Sequence, residues 1–133
     1  VRPRGKARLM EAGALVRVGS RSPMETRSRL MFHRAGFPEP QLNSDVFDAH
    51  GGWLLEGDLV WHQHRVIGEY QGADHADRKR RSADSFRIGL AEDEDYTVIE
   101  IFAEDVFRPA RRCTLLHRFA RAMDLDPATL TIG

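Results

Sequence analysis

Cysteine occurs once, at Cys113, so the chain cannot close an internal disulfide, and the expected setting is the reducing cytoplasm. Net charge is zero. Its 20 basic residues balance 20 acidic ones, which argues against a protein that coats nucleic acid by bulk positive charge. No apolar run approaches the roughly 20 residues of a membrane-spanning helix, and no secretory pattern opens the chain. There is no Gly-rich phosphate loop: Gly51-Gly52 reads as a turn and Gly19 stands alone. Internal repeats and low-complexity tracts are lacking as well.

What remains is the composition of one soluble globular domain: 133 residues, 41% apolar and 30% charged. The chain opens at Val1 rather than at a methionine, as expected of a processed product or a piece of a longer protein. Its charges are unevenly spread. Arg2, Arg4, Lys6 and Arg8 crowd the start, Arg78-Lys79-Arg80-Arg81 forms a second run, and Arg108, Arg111 and Arg112 a third. Acid gathers at Glu92-Asp93-Glu94-Asp95 and Glu104-Asp105. A solvated face is the ordinary reading of such runs.

The stretch from Asp58 to His75 organises the rest. In Val66-Ile67-Gly68-Glu69-Tyr70-Gln71, strand alternation puts Ile67, Glu69 and Gln71 on one face and Val66, Gly68 and Tyr70 on the other. Leu54 to Trp61 reads as a second strand, and the short gap around His62 to Arg65 favours an antiparallel hairpin. A turn centred near Gln63 and His64 sets Asp58 opposite Glu69, with Cβ atoms roughly 5 Å apart. Two carboxylates at that spacing repel unless a cation lies between them, and oxygen-only ligation suits Mg²⁺ or Mn²⁺. Glu56 falls two residues from Asp58, on the same face, as an auxiliary acid or a solvent-facing one.

Other elements follow the usual signals. Lys6 to Val18 reads as a short helix broken at Gly19 to Ser22. Ser22-Pro23-Met24-Glu25 begins a second helix with Ser as N-cap, Pro at the first position and Glu three after the cap, ending near Ala35 before Gly36, Pro38 and Pro40. Gln41 to Phe47 is a strand and Asp48 to Gly52 a turn. Asp74 to Leu90 reads as a polar helix, and Tyr96 to Phe102 as a strand rich in β-branched and aromatic residues. Ala110 to Met123 is a helix whose Cys113, Leu116, Ala120 and Met123 are spaced for the core. Trp53 and Trp61 alternate with other apolar positions of their strand and read as core side chains, with base stacking the alternative. His62 and His64 lack a third soft ligand for a transition metal.

An Asp followed about ten residues later by Glu-x-(Lys or Gln) resembles the PD-(D/E)xK nucleases, and within them the small very-short-patch-repair-like endonuclease domains. The likeness runs from about Ser22 to Met123. It is carried by Ser22-Pro23-Met24-Glu25, Gly57-Asp58-Leu59-Val60-Trp61, Glu69-Tyr70-Gln71-Gly72, His75 and Asp84-x-x-Arg87. It implies an α/β restriction-endonuclease-like core, a mixed four-stranded sheet flanked by helices in the order α-β-β-β-α-β-α. Residues 1–21 would be an N-terminal helix and linker, 22–123 the nuclease-like domain and 124–133 a C-terminal tail that frays.

The function implied is metal-dependent hydrolysis of DNA. Asp58 and Glu69 would ligate Mg²⁺ or Mn²⁺ with help from the Tyr70 carbonyl, and Gln71 would orient water or phosphate. His75 would act as a general acid or hold the scissile phosphate, and Arg78, Lys79, Arg80 and Arg81 would hold DNA phosphates beside the metal. Glu25 has two readings, a capping-box glutamate or an acid near the metal. Gln71 stands where the family has Lys or Asp, and a neutral amide supplies neither positive charge nor a base. The competing expectation is therefore a nuclease-fold module without catalysis, binding nucleic acid or a protein partner in a regulatory role, acting through an additional N-terminal domain such as relatives often carry.

Overall fold

The computed structural model describes residues 23–71 and 78–132, with the backbone alone for 78–84. Lys6 to Val18, Ser22 and His75 lie outside the described residues. The first described helix, α1 (Pro23–Ala35), begins at the proline and stops where Gly36 adopts φ 91°, a conformation that costs glycine little. Strands β1 (Gln41–Phe47), β2 (Trp53–Trp61) and β3 (Val66–Gln71) follow as an antiparallel meander. The helix α2 (Arg78–Asp93) then leads to β4 (Thr97–Phe102), which pairs in parallel with β3. The sheet is thus a mixed four-stranded one in the order β1-β2-β3-β4, flanked by helices, as the sequence leads one to expect.

Two apolar layers hold it. On one side α1 and the last helix, α4 (Pro109–Ala122), bury Phe32, Trp61, Ile99, Ile101 and Phe119 against the sheet. The rings of Phe32, Phe37 and Phe119 meet edge to face, with centroids 4.7 and 5.3 Å apart, and the Trp61 indole N–H donates to the Pro38 carbonyl at 2.7 Å. On the other side Ile88, Leu90 and Ala91 of α2 cover Val46, Leu55, Val60 and Ile67.

Three features of the helices and the C-terminal segment depart from the sequence reading. A short helix, α3 (Ala103–Phe107), intervenes between β4 and α4. The buried Asp105 fixes it by accepting the Phe102 N–H at 2.9 Å and pairing with Arg111 at 2.9 Å. Residues 124–132 do not fray: Leu125, Leu130 and Ile132 pack on the larger core, and the Thr131 N–H donates to the Ala35 carbonyl at 2.9 Å. Cys113 is only half-buried, while Leu116, Ala120 and Met123 are core as expected.

Candidate carboxylate site

The hairpin turn closes through a 3-10 turn at His62–His64 and Arg65, whose φ of 56° reverses the chain. Pairing begins with Trp61 opposite Val66 and ends with Leu59 opposite Gly68. Continuing that register sets Asp58 opposite Glu69, the alignment expected from the turn position.

At that point side chains take over from the backbone ladder. The Asp58 N–H donates to Glu69 Oε2 at 3.0 Å, and the Tyr70 N–H donates to Asp58 Oδ2 at 2.7 Å. Each strand therefore satisfies an N–H of its neighbour with a carboxylate, and β2 and β3 part like the arms of a fork. Both carboxylates are half-buried.

The local backbone explains the fork. Strict alternation would put Gly57 and Val60 on opposite faces. A Cβ on Gly57 would instead lie 2.6 Å from Val60 Cγ2 and 2.8 Å from Ile67 Cγ2, and Leu55 packs with the same residues. The pleat of β2 slips by one residue between Gly57 and Val60. Asn43, which the register places beside Asp58, has φ 48°, so β1 breaks its own regularity at the same level. Asp58 is thereby turned toward the backbone of β3, and only glycine fits at position 57.

Gln71 ends β3 half-buried, and its amide donates to Glu100 Oε2 at 3.2 Å. Glu100, on β4, is the register neighbour of Glu69. It had no distinguishing signal in the sequence, because parallel pairing across a helix is invisible to local pattern. The Tyr70 ring packs half-buried against the larger core, and burial pushes its phenol above the ordinary tyrosine range.

Glu25 is half-buried in the first turn of α1, one turn before the buried Ser28 and Arg29. Among the described residues no three of His, Cys, Asp and Glu gather closely enough to hold a metal, so Glu25 does not join Asp58 and Glu69. The same holds for His62, whose ring lies 2.9 Å from the Ser44 hydroxyl, and for His64. Arg78, Lys79, Arg80 and Arg81 form the first turn of α2.

A cleft of about 260 Å³ adjoins Glu69, walled by Trp53, Leu55, Glu56, Arg87 and Ile88. Trp53 is corrected here from core to surface: it is 47% exposed, whereas Trp61 is buried at 3%. Its indole N–H donates to Asp45 at 3.0 Å, and the Arg87 guanidinium lies 4.9 Å from its ring centroid. Arg87 stood out in the sequence only as the end of Asp84-x-x-Arg87.

Comparison with protein-family models, curated proteins and solved structures finds no significant match to this chain. Among the described residues no helix is long and apolar enough to cross a membrane.

Proposed function

We propose that this protein is a metal-dependent DNA endonuclease or nicking enzyme acting in the cytoplasm. The observation that carries the reading is the fork at Asp58 and Glu69, where crossed hydrogen bonds hold two carboxylates on adjoining strands. Backbone donors fix the orientation of both groups, one N–H to each carboxylate.

The donor set fits Mg²⁺ or Mn²⁺. Asp58 and Glu69 offer hard oxygens, the Tyr70 carbonyl a third, and Mg²⁺ commonly takes one or two carboxylates and fills its remaining positions with water and substrate phosphate. When bound, such an ion lowers the pKa of a water and shields charge gathering on a phosphodiester. The remaining roles fall to the chain's own groups. Gln71 orients water or phosphate through its amide, His75 serves as general acid or phosphate ligand, and Arg78, Lys79, Arg80 and Arg81 hold the DNA backbone. Glu25, in the first turn of α1, is given no part in holding the ion.

A second reading, a binding module without catalysis, draws on one observation. The Gln71 amide is turned to Glu100, and it brings no charge to the site. The deciding experiment titrates Mg²⁺ and Mn²⁺ into the wild type and Asp58→Asn, following binding by calorimetry and nicking of supercoiled DNA. Binding and nicking by the wild type alone supports the enzyme. A wild type that binds no metal at millimolar concentration and leaves every DNA form intact removes it.

A further inference from the structure

The cleft beside Glu69 has an aromatic and cationic wall. An exposed indole stands on β2, pinned at its N–H by Asp45 and capped by the Arg87 guanidinium of α2. Burying an indole is favourable, and a 47% exposed tryptophan fixed by two separate contacts is a surface kept ready for a flat partner. Aromatic rings and guanidinium planes are the two protein surfaces on which unpaired bases stack. The cleft volume, about 260 Å³, lies just under the roughly 300–1,000 Å³ of ligand pockets, a size for one base rather than a duplex.

The geometry points to Trp53 and Arg87 as a platform for an unpaired nucleobase, so that the substrate class is single-stranded DNA or a duplex with a nucleotide turned out of the stack. This rests on the nuclease reading for the identity of the ligand. Glu69 lines both the cleft and the fork, so a base held against Trp53 would bring its own phosphate toward the carboxylate pair. Arg87 has two uses in such a complex. Its plane stacks, and its edge N–H groups donate to phosphate.

The test runs in EDTA, so that neither metal nor cleavage contributes. Short oligodeoxythymidylate and a hairpin duplex of equal length are titrated into the protein, following tryptophan emission and the anisotropy of a labelled strand. With Trp61 buried at 3%, a change in emission on binding reports Trp53. The single strand should quench emission and bind more tightly than the duplex. Trp53→Ala should abolish the quench and weaken single-strand binding about 5- to 100-fold, the range for losing one base–aromatic stack. Trp53→Phe should retain most of the affinity, which separates stacking from a folding defect.

Single-strand affinity unchanged in Trp53→Ala overturns the platform, as does a wild type that prefers duplex without quenching or binds no oligonucleotide at all. A protein that binds the strand through Trp53 yet never cuts with Mg²⁺ restored keeps the platform and loses the nuclease reading. One that cuts but is indifferent to Trp53 does the reverse.

Discussion

In the proposed enzyme Asp58 would serve two purposes, and its variants can separate them. Its carboxylate accepts the Tyr70 N–H, so Asp58→Ala leaves a half-buried donor without its partner, a cost of about 1–3 kcal/mol. Asp58→Asn keeps an acceptor oxygen there and loses only the charge. Denaturant melts should place Asp58→Ala well below the wild type and Asp58→Asn close to it. Nicking should fall in both by more than roughly 100-fold, beyond the 10–100-fold typical of losing a group that merely orients a ligand. Nearly normal nicking by Asp58→Asn would show that its charge has no part in the chemistry. At this scale the sequence was informative about the pair: the turn position sufficed to set Asp58 against Glu69, although the slipped pleat of β2 was not foreseen. It was silent about the pairing of Gln71 with Glu100, and it misjudged Trp53, because residue type says that an indole favours burial while the packing at the start of β2 decides whether anything covers it.

Among the elements, the turn between β1 and β2 and the first turn of α2 make opposite electrostatic demands. Asp48 closes the β1–β2 turn by accepting the Gly52 N–H at 2.7 Å and the His50 N–H at 2.8 Å, and these backbone donors hold its carboxyl below the ordinary value of 3.8. A depressed folded-state pKa contributes stability that is present above 3.8 and lost as pH falls through the lower, folded value. The difference in Tm between wild type and Asp48→Ala should therefore be greatest near neutral pH and narrow below 3.8, as thermal melts across acidic buffers would reveal.

In α2 the residues Arg78, Lys79, Arg80 and Arg81 put four cations at the helix end where the backbone dipole is already positive, with no acid among them. A cation in the first turn of a helix is disfavoured by about 0.3–1 kcal/mol at low salt. Bound phosphate would reverse that sign. Arg78→Gln with Lys79→Gln should raise Tm slightly while weakening DNA binding and flattening its salt dependence by about 0.9 for each phosphate no longer neutralised. If stability and affinity move together, the run is a structural surface. The helix starts and stops of α1 and the bounds of β1 were legible from proline, glycine and alternation. The short α3 was not, since its start depends on Asp105 meeting Phe102 and Arg111, an arrangement made only once β4 and α4 are in place.

For the molecule as a whole, the sheet is covered on both faces, and the last residues help close one of them. Ending the chain after Met123 removes the packing of Leu125, Leu130 and Ile132 and the Thr131 bond to Ala35. Partial burial of three such side chains is worth roughly 2–5 kcal/mol, so the shortened protein should unfold at distinctly lower denaturant with a similar slope. An unchanged midpoint would make the segment an accessory. The overall order of helices and strands could be read from periodicity. The packing of this segment could not, because its apolar residues are sparse and separated by polar ones, so that no local pattern signals burial. The parallel pairing of β3 with β4 follows instead from connectivity: a helix between two strands of one sheet brings the second strand back alongside the first.

The irregular backbone of β1 also bears on how the protein behaves in a crowded solution. Among the described residues β1 forms an outer edge of the sheet, and an unbroken edge is a template on which a strand of another molecule can add. Asn43, with φ 48°, interrupts the run of outward N–H and C=O groups partway along that edge, and the exposed Asp45 sets a charge just beyond. The same kink that aligns β1 with the slipped pleat at Asp58 thus makes that edge a poorer template for growth from molecule to molecule.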